Sequence, residues 1–194
     1  MTTYTEPSSD RSADPATFRR AVDSLESVRV RSEATVESIR PPQRLAPYSY
    51  ALSVDVTPLR GDDRDGATGR LVLLHDPAGF EAWDGELRLV GYASAELSAD
   101  MAGDPLLPQV GWSWLTDSLD ERSARYTAVG GTVTQTTSTR FGDVHGPATT
   151  TTLELRGSWT PLQSDLRPHL LAFVDMLAIA AGLPPEGVTL LDRH

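Results

Sequence analysis

The spacing of apolar side chains changes period several times along the chain, and each change marks an element. Phe18, Val22, Leu25 and Val28 recur at intervals of four, three and three, which places them on one helical stripe with Arg19, Arg20, Asp23 and Glu26 largely off it. Asp14 and Pro15 precede that stripe as a cap and a first helical residue, since an aspartate can accept free amide hydrogens and proline lacks the one that would be orphaned. From residue 29 the period shortens. "RVRSEATVESI" has the β-branched content of a strand, and "RPPQRLAPY" ends it with prolines that forbid both a helix interior and a central strand. Tyr50, Leu52, Val54 and Val56 then alternate with Ala51, Ser53, Asp55 and Thr57, the signature of a strand with one wetter face.

"RLVLLHDP" and "ELRLVGY" read as two further strands, with "AGFEAWDG" between them able to hold a single helical turn. Residues 109–121 are helical by the spacing of Leu115 and Leu119. "RYTAVGGTVTQTTSTRF" and "ATTTTLELRGSW" are two long strands joined by the turn-rich "GDVHGP". In the second of these, Leu153, Leu155, Gly157 and Trp159 share one face, and Gly130-Gly131 in the first marks a bulge or a close approach. A last helix begins near Asp165, carries Pro168 in its first turn and stops at Gly182, with Pro184 and Pro185 behind it.

The resulting order is helix, four strands, helix, two strands, helix. Short polar connections pair strands antiparallel, so the expected class is α+β: a single curved, mainly antiparallel sheet of about five to six strands with three helices packed on it. Residues 1–13, almost without apolar side chains, are expected to be a disordered tail, and 14–191 a single domain.

Composition narrows the chemistry. The chain has 194 residues, a net charge of −10 and no cysteine, which removes disulfides, thiolate catalysis and cysteine-ligated metal. All its basic residues are arginine. A lysine Schiff base and a P-loop lysine are therefore excluded by inventory. The acidic balance disfavours direct nucleic-acid binding, which would need Arg19, Arg20, Arg29, Arg31, Arg40 and Arg44 to form one patch. The most apolar segment, 170–183, is interrupted by Asp175 and is shorter than the roughly 20 residues a bilayer needs, so no membrane association and a cytoplasmic location are expected.

"DPLLPQVGWSWLTDSL" (104–119) raises the sharpest question. On a helix, Trp112, Leu115 and Leu119 lie within about 60° of one another, whereas Trp114 sits about 130° from the centre of that stripe. Three readings stand: the segment is not yet helical at Trp112, Trp114 packs against a second layer, or it is exposed to anchor a partner. In the last case Trp112, Trp114 and Asp104 are the candidate partner-binding residues. A competing site is a ligand cleft of His75, Asp76, Glu81 and Arg44, joined by Asp104, beneath the prolines of "RPPQRLAPY". Its bland counterpart makes His75 a structural histidine bonded to backbone and Asp76 a turn former. "GDDRDG" lacks the ligands of a calcium loop, with Gly61 at its first position and Val72 at its twelfth. Neither a G-x-S-x-G nor an H-E-x-x-H motif occurs, and no cofactor or metal is expected.

Together "FRRAVDSL", "RPPQRLAPY", "VLLHDPAGFEAWDG", "DPLLPQVGWSWLTDSL", "SWTP" and "AAGLPPEGV" resemble an actinobacterial family known as domain of unknown function 3000, over about residues 17–188. That resemblance implies a cytoplasmic protein with no catalytic residues to carry over. It also implies a gene neighbourhood that often holds an exonuclease similar to ribonuclease D, making an RNA-processing exonuclease a candidate partner. The element order is similar, at the level of fold alone, to small acidic secretion chaperones. The leading expectation is a non-enzymatic protein-binding or adaptor domain, chaperone-like and a candidate homodimer. The alternative is an enzyme or small-molecule-binding protein using the His75 cleft.

Overall fold

The structure, a computed structural model, describes residues 15–57, 66–143 and 145–186. The expected N-terminal tail and residues 61–65 of the "GDDRDG" loop lie outside these residues, as do Asp14 and residues 187–191 of the expected domain. Four strands follow the first helix α1 (Ala16–Glu26): β1 (Ala34–Ile39), β2 (Tyr48–Val56), β3 (Ala67–Phe80) and β4 (Gly85–Leu97). A short α2 (Ala99–Ala102) and α3 (Leu107–Glu121) lead to β5 (Tyr126–Thr139) and β6 (Thr149–Pro161), and α4 (Arg167–Ala180) closes the domain. Pro15 itself occupies the cap position of α1, one residue before the helix, and its carbonyl accepts from the Arg19 amide at 3.0 Å. The turn expected within "AGFEAWDG" is a single 3-10 turn at Glu81–Trp83.

The strands form one open six-stranded antiparallel sheet in the order β1-β2-β3-β4-β6-β5. The first four make a meander. The helical segment then carries the chain to the far edge, where β5 begins, and β6 returns between β5 and β4. The last strand is thus interior and the next-to-last is an edge.

Register explains how three helices fit on one face. Gly91 pairs with Gly157, and Gly157 with Gly131, so three glycines lie side by side across β4, β6 and β5. Large side chains sit in this trough. The Phe173 ring lies where a Gly91 Cβ would come within 2.9 Å, and Leu115 lies 3.0 Å from the corresponding position of Gly157. The Trp112 ring covers Gly131 at 2.6 Å from such an atom, too close for any side chain to share the space. Gly69, one row away, meets Phe173 and Leu177 at the same 2.9 Å. Of the bulge or close approach expected at Gly130-Gly131, the close approach is found at Gly131, while Gly130 has open space; the bulge lies just before the pair, where the register shifts between Thr127 and Gly130 and Ala128 takes a φ of 49°.

α4 is the central helix, buried on almost every side by Leu170, Phe173, Val174, Met176 and Leu177. Asp175, the charge within that apolar run, is held by a bidentate pair from Arg122 at 2.5 and 2.9 Å, which also ties α3 to α4. No helix of the described residues is long and apolar enough to cross a membrane.

His169, in the first turn of α4, is buried and accepts on Nδ1 from the Trp159 indole N–H at 3.1 Å. Burial pushes its pKa down from 6.5 to about 4. The unfolded chain therefore takes up a proton near pH 6.5 that the folded chain refuses until about pH 4, so stability falls as pH drops through this window. From pH 7.5 to 5 the expected loss is roughly 2 kcal/mol. Urea titrations across this range should show a flatter dependence in His169→Asn, whose amide oxygen stands where Nδ1 accepts from Trp159. Equal slopes in the two proteins would contradict the assignment.

Candidate functional site

α3 starts two residues earlier than its apolar spacing predicts, at Leu107, because Pro108 fits a first turn and Asp104 prepares it. The Asp104 carboxylate accepts from the Leu106 amide at 2.8 Å, and its carbonyl from the Leu107 amide at 3.1 Å. Asp104 is exposed, and its own amide donates to the Met101 carbonyl at 3.1 Å, so its hydrogen bonds are all local. Trp112 is well inside the helix, which removes the first of the three tryptophan readings.

The helix has three faces with different fates. Leu107, Gly111, Leu115, Ser118 and Leu119 face the core. Trp114, half-buried, packs both on the main core and on the small cluster of Leu97, Leu107 and Leu153, with Met176 and Ala180 of α4 beside it. It therefore meets a second layer. The third face looks outward: Leu106 and Val110, one turn apart, are 60% and 38% exposed.

Between these faces Pro108, Gln109 and Trp112 form one wall of a groove of about 370 Å³ whose floor is Gly131 and Val133 of β5. The reason lies in the glycine trough, which ends at the sheet's edge. Trp112 covers its last glycine with one side of the ring, and among the described residues no further strand or helix covers the rest, so the ring is only half-buried. The C-terminal half of α3 carries the exposed Asp117, Asp120 and Glu121, and the helix has no basic residue. The groove itself is largely apolar, with Gln109 its polar wall.

The competing cleft is not assembled. His75 is buried, its ring stacked on Phe18 at 5.9 Å between centroids and 5.8 Å from Tyr48, and Nδ1 donates to the Glu86 carbonyl at 3.2 Å. Its Nε2 has no hydrogen-bond partner among the described residues. Asp76 accepts from the Ala78 amide at 3.0 Å, forming a turn. Glu81 is exposed on the 3-10 turn and Arg44 is exposed after β1. Asp104 is remote: His75 pairs with Leu87 near the start of β4, while Asp104 follows its end at Leu97, roughly 33 Å of strand away. The six arginines do not make one patch either. Arg29 and Arg31 precede β1, Arg40 and Arg44 follow it, and roughly 20 Å of strand lies between. Arg31 is moreover tied to Glu33 at 3.2 Å and to the Pro184 carbonyl at 3.1 Å, and this pairing lowers the Glu33 carboxyl to about 2. The described residues hold no cluster of three or more His, Asp or Glu able to grip a metal ion.

The sheet face opposite the helices is not marked by any sequence motif. Arg88 donates there to the Ala128 carbonyl, Thr160 Oγ1 and Ser158 Oγ at 2.8, 3.1 and 2.7 Å, and burial lowers its pKa. Arg156 lies 5.5 Å over the Tyr92 ring and 3.3 Å from Glu154. These arginines knit strands together rather than wait for a ligand. The one sequence signal for them is the polar alternation of β4 and β6.

Fold and surface define an α+β domain built on one open antiparallel sheet, helices on a single face and a largely apolar groove at one edge. The chain belongs to the DUF3000 family of proteins of unknown function, whose model matches residues 14–189. No curated protein and no solved structure matches it.

Proposed function

We propose that this protein is a non-enzymatic adaptor that holds a protein partner in the groove between α3 and β5. One observation carries the reading: Trp112 closes the glycine trough at the sheet edge yet stays half-buried, its ring forming a groove wall with Pro108 and the exposed Gln109 over Gly131 and Val133. A half-buried tryptophan in an open, largely apolar groove is the composition of a binding hot spot. The net charge of −10 favours a partner segment that offers an apolar anchor flanked by arginine or lysine. We place this activity in the cytoplasm, where a chain without cysteine needs no disulfide. An RNA-processing exonuclease is the partner class to try first.

The test replaces an exposed side chain of the groove wall. Gln109→Arg, which adds bulk and a positive charge to that wall, is expected to lower recovery of the partner about ten-fold or more in quantitative affinity capture from the native host. Its Tm should stay within about 2 °C of wild type, since Gln109 is exposed. Undiminished capture by the folded variant would rule this groove out.

A further inference from the structure

β5 is an edge strand of 14 residues, and from Tyr126 through Thr139 it contains no charged side chain and no proline. Edge strands are ordinarily blunted by charge, proline, short length or a bulge, because their free amides and carbonyls template pairing with another chain. The opposite edge follows that rule, since β1 has six residues and carries Glu37. β5 has only its bulge, confined to Thr127/Gly130 at its start, and the register from Gly130 to Thr139 is regular.

We propose that β5 pairs edge to edge with the β5 of a second copy of this chain, about a two-fold axis at Thr134, to make one continuous antiparallel sheet. Charge at this seam does not oppose a second copy. A chain of net charge −10 repels its own copy over most of its surface, and a neutral strand is where two copies approach at least cost. Symmetry fits as well. A two-fold axis normal to the sheet keeps each face continuous only if one residue opposes itself, and Thr134 is the centre that uses the regular segment from Gly130 to Ser138. Thr132 then faces Thr136, Thr134 faces Thr134, and Val133 faces Gln135. Threonine already pairs with threonine within this sheet, Thr137 with Thr151 at 3.1 Å. The inference goes beyond the adaptor reading and stands on the edge strand, whether or not the groove holds a partner.

Sedimentation equilibrium tests it on the full chain. Wild type should sediment at twice 21.0 kDa at tens of micromolar. Thr134→Lys and Thr134→Glu, each placing like charges opposite themselves, should raise the dissociation constant at least ten-fold. Mixing the two variants in equal amounts should restore the dimer, because lysine then opposes glutamate. Thr134 is exposed, so both variants should retain the wild-type circular dichroism. A readout needing no variant is amide exchange: protection of residues 130–139 should rise with protein concentration. A wild-type monomer at about 100 μM, a dimer indifferent to Thr134→Lys, variants whose mixture stays monomeric, or concentration-independent exchange over 130–139 would each overturn the proposal.

Discussion

Phe173→Ala is expected to lower the free energy of unfolding by about 4 kcal/mol and the Tm by roughly 10 °C. Removing a buried ring costs its transfer energy together with the cavity left behind, and the second term depends on how far the surroundings collapse. At this site they cannot collapse much. The ring is fully buried and rests on Gly69 and Gly91, positions with no side chain to swing into the gap. Phe173→Leu should cost far less, about 1.5 kcal/mol, because most of the volume is retained. Urea denaturation of both variants checks this. A loss below about 1.5 kcal/mol for the alanine variant would mean that the trough closes without the ring.

Trp114→Ala is expected to cost about 3 kcal/mol, at the lower end for a tryptophan because the ring is only half-buried. The side chain bridges two apolar groups, the main core and the cluster of Leu97, Leu107 and Leu153, and borders a cavity of about 10 Å³. Truncation enlarges that cavity and uncouples α3 from both groups. Thermal unfolding reads the result directly. A Tm unchanged within about 2 °C would show that the ring is not a packing element and would make it a candidate contact for a partner.

The sheet and helices are legible in the sequence because each element carries its own local period. Phe18, Val22 and Leu25 declare α1, and Leu153, Leu155, Gly157 and Trp159 declare the covered face of β6. The start of α3 is off by two residues because Pro108 reads as a breaker until it is seen in a first helical turn. The groove is half legible. Helical geometry separates Trp112 from Trp114 but cannot say which is covered, since that depends on strand register. Gly131 comes to lie beside Gly157 and under Trp112 only through pairings between distant segments, which no local pattern encodes. The same dependence explains His75. Its neighbours in sequence suggest a polar cleft, yet its side chain points to the covered face, toward Phe18 and Tyr48.

A partner held at the α3–β5 groove, rather than on the open face of the sheet, is the central claim, and site-specific photo-crosslinking reads that location most directly. A benzophenone amino acid is placed either at position 109, where the exposed Gln109 lines the groove, or at position 90, where Val90 is 37% exposed on the opposite face. Partner adducts are expected from position 109 and none from position 90. Adducts from position 90 with none from position 109 would contradict the groove as the binding site.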